Sequence, residues 1–529
     1  MVTIVDIDVQ AIAAPPTGFG GDARNIAQGG PTYANVVLEI ITDKPGLVGT
    51  GVIFTNGHGL METCGVTRSV ATRFLLDKDA PVDVDHLHEN GNLGRLGRAM
   101  LQDSDYAWLG GVGISRMAIG AVINALWDLA AKCQGLPAWE LIARMAPADL
   151  IQFIDFEPIA DVLSPAEAYT LLEEAQEGKD ARIADVYERG LLAYNTAGWS
   201  GISTDALVKE TEKMIHAGWP QIKVKVGSSW SERRINAQAS DQRLDREELD
   251  QMALAAAEED AERLILVYET IDKEDSRSTK MLVAVDSNQV FDTRSAIVFI
   301  KHLAERLYRA NPRYQIAWFE EPANQHSAIS HVAIQQALNR AFADYDPPLR
   351  VPISTGEQGS SPVVFKDLLF APDYEGNDKH YAIDVIQMDY ARVAGICDNL
   401  AILLLAIKAR REGRDVRICP HTGGIGLCEG MRQVQAIKQA LFGRANNAGV
   451  DDILEFVAEE SRSVHEGVFK NPAIVEQGYY QMNKTPGVGV DYTTAGKTDY
   501  LLPEGKAWQA HDEHRARAQA FTLSGKRFQ

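Results

Sequence analysis

Residues 221–227 read QIKVKVG, and two further runs in the same half of the chain end on acids: MLVAVDSN at 281–288 and IAWFEEP at 316–322. Each is short, apolar, rich in β-branched or aromatic residues and closed by a glycine, proline or polar residue, which is the pattern of a buried strand. Working outward, comparable runs recur at Leu191 to Asn195, Arg350 to Ser354, Ala382 to Asp389, Asp415 to Pro420 and Ile453 to Val457. Helical patterns such as Asp398 to Arg411 separate most of them. Eight strands alternating with helices over residues 191–460 predict an α/β fold with a closed parallel barrel. Pattern alone does not prove closure, so an open sheet stays as the alternative.

The flanks read differently. Residues 1–150 predict an α+β domain, with strands at Thr3 to Ile12 and Ala34 to Thr42 and a helix from Ile119 to Lys132 that stops at Gly135-Leu136-Pro137. Gly18 to Pro31 is rich in glycine and polar residues and reads as a mobile loop. Residues 151–190 are expected to form a helical connection, and residues 461–529, with little periodicity, to return to the first domain. One interval breaks the barrel's rhythm: 61 positions separate Lys225 from Asp286, while later landmarks lie 32 to 37 apart. The surplus near residues 235–278 is charged and helical, and is expected as a helical excursion on the barrel's outside.

A formal net charge of -21 argues against a nucleic-acid partner. It also means that an anionic substrate would need positive charge concentrated locally, as a metal or a lysine cluster. Five cysteines without CxxC spacing (Cys64, Cys133, Cys397, Cys419, Cys428) read as reduced thiols in a cytoplasmic protein. The N-terminus MVTIVDIDVQAI looks like a strand and not a signal peptide, and no run of about 18 apolar residues suggests a membrane span.

In a parallel barrel, reactive groups sit where strands end, because the loops there open onto one face. Reading those ends in order gives Lys223 and Lys225, then Asp286 with Asn288 beyond it, Glu320, Glu357 in TGEQ, Asp389, His421 in CPHTGG, and Glu455 in LEFV. Taken singly, most of these are ordinary surface acids, solvated lysines or loop residues. Together, Asp286, Glu320 and Glu357 would converge, and three carboxylates so close demand a cation. Hard oxygen donors with room for substrate fit Mg²⁺. Lys223 and Lys225, two residues apart, would both point inward. Beside one another and a divalent ion, both ammoniums are expected to be pushed down towards the range of a general base. Asp389 would orient the His421 imidazole and raise its basicity.

This ordered set resembles the acid-sugar dehydratases of the enolase superfamily, and within them the L-fuconate dehydratase family, to which fungal L-galactonate dehydratase is related. FIDFEPIADVLSPAEA (153–168), AYNTAGW (193–199), CPHTGGIGLCE (419–429) and GYYQMNKTPG (478–487) add to the likeness. The resemblance implies a modified (β/α)7β TIM-like barrel under an enolase-like α+β capping domain, with Mg²⁺ held by Asp286, Glu320 and Glu357. It implies that Lys225 takes the C2 proton of a sugar acid and that His421, supported by Asp389, is the acid that helps hydroxide leave, giving a 2-keto-3-deoxy acid. Lys223 would help neutralise the substrate carboxylate, with Asn288, Trp199 and Glu455 as further substrate-binding residues. A small-molecule sugar-acid substrate, no nucleic-acid or membrane partner, and a homo-oligomer are expected.

Three segments depart from the family's pattern: WLGGVGIS at Trp108, Glu157 where an arginine is usual, and AEESRSVHEG following strand eight. They put the identity of the substrate in doubt rather than the core chemistry. A racemase, epimerase or cycloisomerase using the same Lys225 and His421 pair is the alternative on this fold. A non-catalytic enolase-like protein is the third reading.

Overall fold

The computed structural model describes residues 1–14, 34–371, 382–456 and 467–510. The expected loop at Gly18 to Pro31 and the departing segment after strand eight therefore lie outside the described residues. Near the N-terminus, β1 (Ile4–Ala13), β2 (Ala34–Thr42) and β3 (Val48–Thr55) form an antiparallel sheet in the order β1-β2-β3. One face of β3 lies on the helix Ile114–Gln134: a Cβ on Gly51 would stand 2.1 Å from the Ala121 carbonyl oxygen, so only glycine lets strand and helix approach this closely. That helix is enclosed on most sides, and the few polar groups it buries, such as Asn124 and Asp128, are hydrogen-bonded to neighbouring segments. Its length and hydropathy would suit a bilayer, yet 89% of its most apolar window is buried within the protein.

The barrel strands are β4 (Leu191–Gly198), β5 (Gln221–Lys225), β6 (Leu282–Asp286), β7 (Phe319–Glu320), β8 (Ile353–Thr355), β9 (Val385–Ile386), β10 (Arg417–Ile418) and β11 (Leu454–Phe456). Each pairs in parallel with its neighbour from β4 to β10, and β11 pairs in parallel with β4. The Glu455 N–H donates to the Pro420 carbonyl at 3.2 Å, bridging the remaining gap. The fold is a capped barrel with helices between successive strands, as the alternation predicts. Several strands span only two or three residues where the sequence suggests five to eight. Beyond these short ladders the strand ends continue as loops.

The surplus between Lys225 and Asp286 is not an appendage. It holds the helix Ser228–Ala239 and then Arg246–Glu274, a 29-residue helix that is itself the crossover from β5 to β6. Its alanine-rich stripe (Ala253, Ala256, Ala257, Ala261) with Leu264, Val267 and Ile271 is buried, so the added length extends a barrel helix. The C-terminal segment reaches the first domain: Leu501 bridges to Ile12, and the Trp508 indole N–H donates to the Ala13 carbonyl at 2.8 Å. β12 (Val475–Glu476) and β13 (Tyr479–Tyr480) form a hairpin that extends β4 at its N-terminal end.

Candidate active site

β5 carries Lys223 and Lys225 on its inner face, and the ladder to β6 sets Lys225 directly opposite Asp286. The Lys225 ammonium donates to Asp286 Oδ2 at 2.5 Å and lies 5.5 Å from the centre of the Trp199 ring. Lys223 donates to Glu320 Oε1 at 2.6 Å, with Glu455 Oε1 at 2.9 Å and Asp286 Oδ2 at 3.6 Å. Next along the mouth, one carboxylate oxygen each from Asp286, Glu320 and Glu357 falls within 4.8 Å of the other two. His421 lies beside this triad: its Nδ1 is 3.0 Å from Asp389 Oδ2 and its Nε2 is 3.5 Å from Glu357 Oε2. Asp389 and His421 lie beyond the short ladders of β9 and β10, in loops, and the fold still brings them together. The structure thus gathers all eight of the strand-end residues named from the sequence.

Five carboxylates (Asp286, Glu320, Glu357, Asp389, Glu455) face two ammoniums in this enclosure. The Glu320 carboxyl is pushed up to about 8, by burial first and then by the neighbouring charges of Asp286, Glu455 and Glu357, with Lys223 opposing. Lys223 goes well above the usual ammonium range: burial disfavours its charge, but Glu320 and Glu455 outweigh it. At Lys223 the protein's own acids thus act in the opposite sense to the divalent ion and second amine from which a downward shift was expected. His421 is likewise pushed up to about 9, with burial overcome by Glu357, Asp389 and Glu455. Glu455 moves the other way, to about 2: burial would raise it, but Lys223, His421, the Thr196 hydroxyl and the Thr422 N–H stabilise the anion.

A surplus of buried, converging carboxylate oxygens fits a hard divalent cation. All three donors are oxygen, and Glu320 is driven towards neutrality by the protein's own groups alone, so a cation there relieves the repulsion that burial creates.

Further side chains that the motifs did not flag complete the site. The Gln387 amide and the Trp318 indole donate to Glu320 Oε2 at 2.6 and 3.0 Å, and the Thr196 hydroxyl donates to Glu455 Oε1 at 2.6 Å. Trp318 and Gln387 lie two residues before Glu320 and Asp389, so the period-two rule applied to the two lysines would also have placed these residues on the inner face. Asn288, at φ 46, folds its backbone N–H onto Asp286 Oδ1 at 2.8 Å, and its amide reaches Asp286 Oδ2 at 3.4 Å. It supports the Asp286 carboxylate. Of the departing segments, Trp108 is 91% exposed, and Glu157 is exposed and accepts from the Gln102 amide at 3.1 Å.

A barrel with a capping α+β domain and converging acids, amines and an imidazole at its mouth defines a class of enzymes. Residues 206–495 match the enolase C-terminal domain-like family, and residues 24–143 match the mandelate racemase / muconate lactonizing enzyme N-terminal domain. The chain belongs to the enolase superfamily. It is 31% identical over 499 residues to the L-galactonate dehydratase of Hypocrea jecorina, covering 93% of each chain. To human mitochondrial enolase superfamily member 1 it is 28% identical over 498 residues, covering 93% of this chain and 95% of that one. The crystal structure of that human protein superposes with a TM-score of 0.77 at 27% identity, over 96% of this chain and 99% of the other. The L-talarate/galactarate dehydratase of Salmonella typhimurium LT2, solved with Mg and L-lyxarohydroxamate, shares the fold with a TM-score of 0.60 at 21% identity, over 96% and 93%.

Proposed function

We propose that the protein is a Mg²⁺-dependent dehydratase of a sugar acid, an L-fuconate- or L-galactonate-like aldonate, giving a 2-keto-3-deoxy acid. One observation carries this reading: three convergent carboxylates have an amine beside one of them, Lys225 on Asp286, and an imidazole beside another, His421 near Glu357 and held by Asp389. The L-galactonate dehydratase that the chain resembles over nearly its whole length supports it.

Asp286, Glu320 and Glu357 would hold the ion, which supplies electrostatic stabilisation of negative charge developing on the substrate carboxylate. Lys223 adds a fixed positive charge beside it. Lys225, as the free amine, takes the C2 proton, and the C–H electron pair moves into the carboxylate to give an enediolate. As that pair returns, the C3–O bond breaks, and the departing hydroxide takes a proton from His421 to leave as water. The resulting enol gains a proton at C3 and becomes the keto acid. Asp389 holds the imidazole in place and favours its protonated form, and Trp199 covers Lys225 and restricts water at the base.

The same pair also suits a racemase or epimerase, in which Lys225 and His421 serve the two faces of one enediolate. A screen of sugar acids separates the readings, since only dehydration gives a semicarbazide-reactive 2-keto-3-deoxy product. EDTA abolishes and Mg²⁺ restores that product under the dehydratase reading. An enzyme that interconverts C2 epimers without forming a keto acid would overturn it.

A further inference from the structure

We infer that Phe54 and Asn35, on the capping sheet, are positioning residues for His421, an inference that rests on the assignment of His421 as the acid. Asn35 and Phe54 are direct partners across β2 and β3, so their side chains leave the same face, with Val52 two residues along. That face lies on residues 424–426 of the histidine loop. A Cβ built on Gly424 would meet the Phe54 ring at 2.6 Å, so the bare backbone sits flat on the aromatic face. The Asn35 amide donates to the Ile425 carbonyl at 2.8 Å, a buried bond across 390 positions of sequence. At Gly426 a Cβ would meet the Asn35 amide at 3.1 Å and Val52 at 3.2 Å.

From below, Glu455 holds the same loop: the Thr422 N–H donates to its Oε2 at 2.9 Å, and the Thr422 hydroxyl to its carbonyl at 2.5 Å. The imidazole itself is fixed by Asp389 at 3.0 Å and, in its neutral form, by the Gly423 N–H, which donates to Nε2 at 3.1 Å; protonation at Nε2 gives up that second bond and leaves Asp389 to hold the ring. The loop bearing Asp389 is also held by the cap. Asn124 Oδ1 accepts from the Ile396 N–H at 2.9 Å, and Arg116 pairs with Asp398 through two bonds of 2.7 and 3.0 Å. Lys225, by contrast, is set by the β5–β6 ladder inside the barrel. Seating of the cap therefore sets the imidazole side of the site, while the amine side is built into the barrel.

Phe54→Ala, Gly424→Ala and the double variant test this. Gly424 does not occupy the left-handed region, and the three atoms nearest to a methyl there all belong to the Phe54 ring. In Phe54→Ala, amide hydrogen exchange over residues 419–427 of the substrate-free protein is expected to speed up about tenfold, while residues 221–227 stay unchanged. With substrate, kcat falls about tenfold and KM stays within about threefold, because a misplaced acid slows a step after binding. Solvent deuterium still enters at C2, so the ratio of exchange to dehydration rises; a general loss of structure would lower both together. Gly424→Ala shows the same split, and removing the ring in the double variant returns its loop exchange to the Phe54→Ala level.

Unchanged exchange over 419–427 in Phe54→Ala overturns the inference, as do strictly additive effects of the two substitutions. Faster loop exchange in a protein that dehydrates no sugar acid sustains the positioning claim and refutes the dehydratase reading instead.

Discussion

Replacing Glu320 by glutamine removes the negative charge that its ionised carboxylate would offer a cation at the point where the three acids meet. In the ionised form both glutamate oxygens accept: Oε1 from Lys223 at 2.6 Å, and Oε2 from Gln387 at 2.6 Å and Trp318 at 3.0 Å. A glutamine carbonyl turned towards Gln387 and Trp318 keeps those two bonds. Its NH₂ then faces the Lys223 ammonium, donor against donor, and a charge-assisted bond of about 1.5–3 kcal/mol is lost. Lys223 keeps Glu455 at 2.9 Å, so the ammonium is not orphaned and the fold loses about 1–2 kcal/mol. The effect on function is larger, because a donor to the cation is gone: kcat/KM falls by about 100-fold or more, as removal of a well-placed electrostatic group does. Isothermal titration of Mg²⁺ into the substrate-free protein and initial rates of keto-acid formation measure the two consequences separately. A variant with unchanged Mg²⁺ affinity and activity within about twofold of the parent would falsify the metal assignment.

Lys225→Met removes the proposed base, and solvent deuterium incorporation at C2 is expected to drop by about 10²–10⁴-fold, the usual contribution of such a group; unaltered exchange points to another base. Gly423→Ala would place a methyl 2.7 Å from His421 Nε2, so kcat is expected to fall about tenfold or more while Mg²⁺ binding holds. An alanine variant with parental kcat would show that the imidazole does not act. Glu455 sits at about 2 in the folded chain against an ordinary 4.5, so its stabilising contribution is present above pH 4.5 and is lost as pH falls towards 2. The gap corresponds to about 3 kcal/mol at neutral pH. Acid unfolding followed by circular dichroism in EDTA is expected to be less steep across that window in Glu455→Gln, and identical profiles would refute the assignment.

Much of this was legible in the chain. Asp286, Glu320, Glu357, Asp389, His421 and Glu455 stand at nearly even intervals because one supersecondary unit, a strand and its covering helix, repeats around a closed barrel, and the mouth is where each unit exposes its strand end. The two lysines follow from the two-residue period of a strand. Other features were not legible. β3 (Val48–Thr55) has no strong pattern of its own, since its glycines at 49 and 51 are dictated by the helix packed against them. The length of the Arg246–Glu274 helix showed as surplus charge, but whether it stands away from the barrel or packs along it depends on which face meets its neighbours. The protonation tendencies went partly against expectation, as at Lys223, because they reflect the count of buried charges and not the identity of any one residue.

By itself, then, the sequence determined the alternation of strands and helices and the list of reactive groups, since periodicity and spacing are local properties written along the chain, while the capped, closed barrel was implied by the family resemblance. The tertiary structure decided which groups face one another, how Glu320 and Glu455 divide their opposite tendencies, and that a phenylalanine and an asparagine from the cap rest on the histidine loop. Those contacts join positions hundreds of residues apart, and electrostatics and packing act through space, where neighbours in sequence carry no information about them.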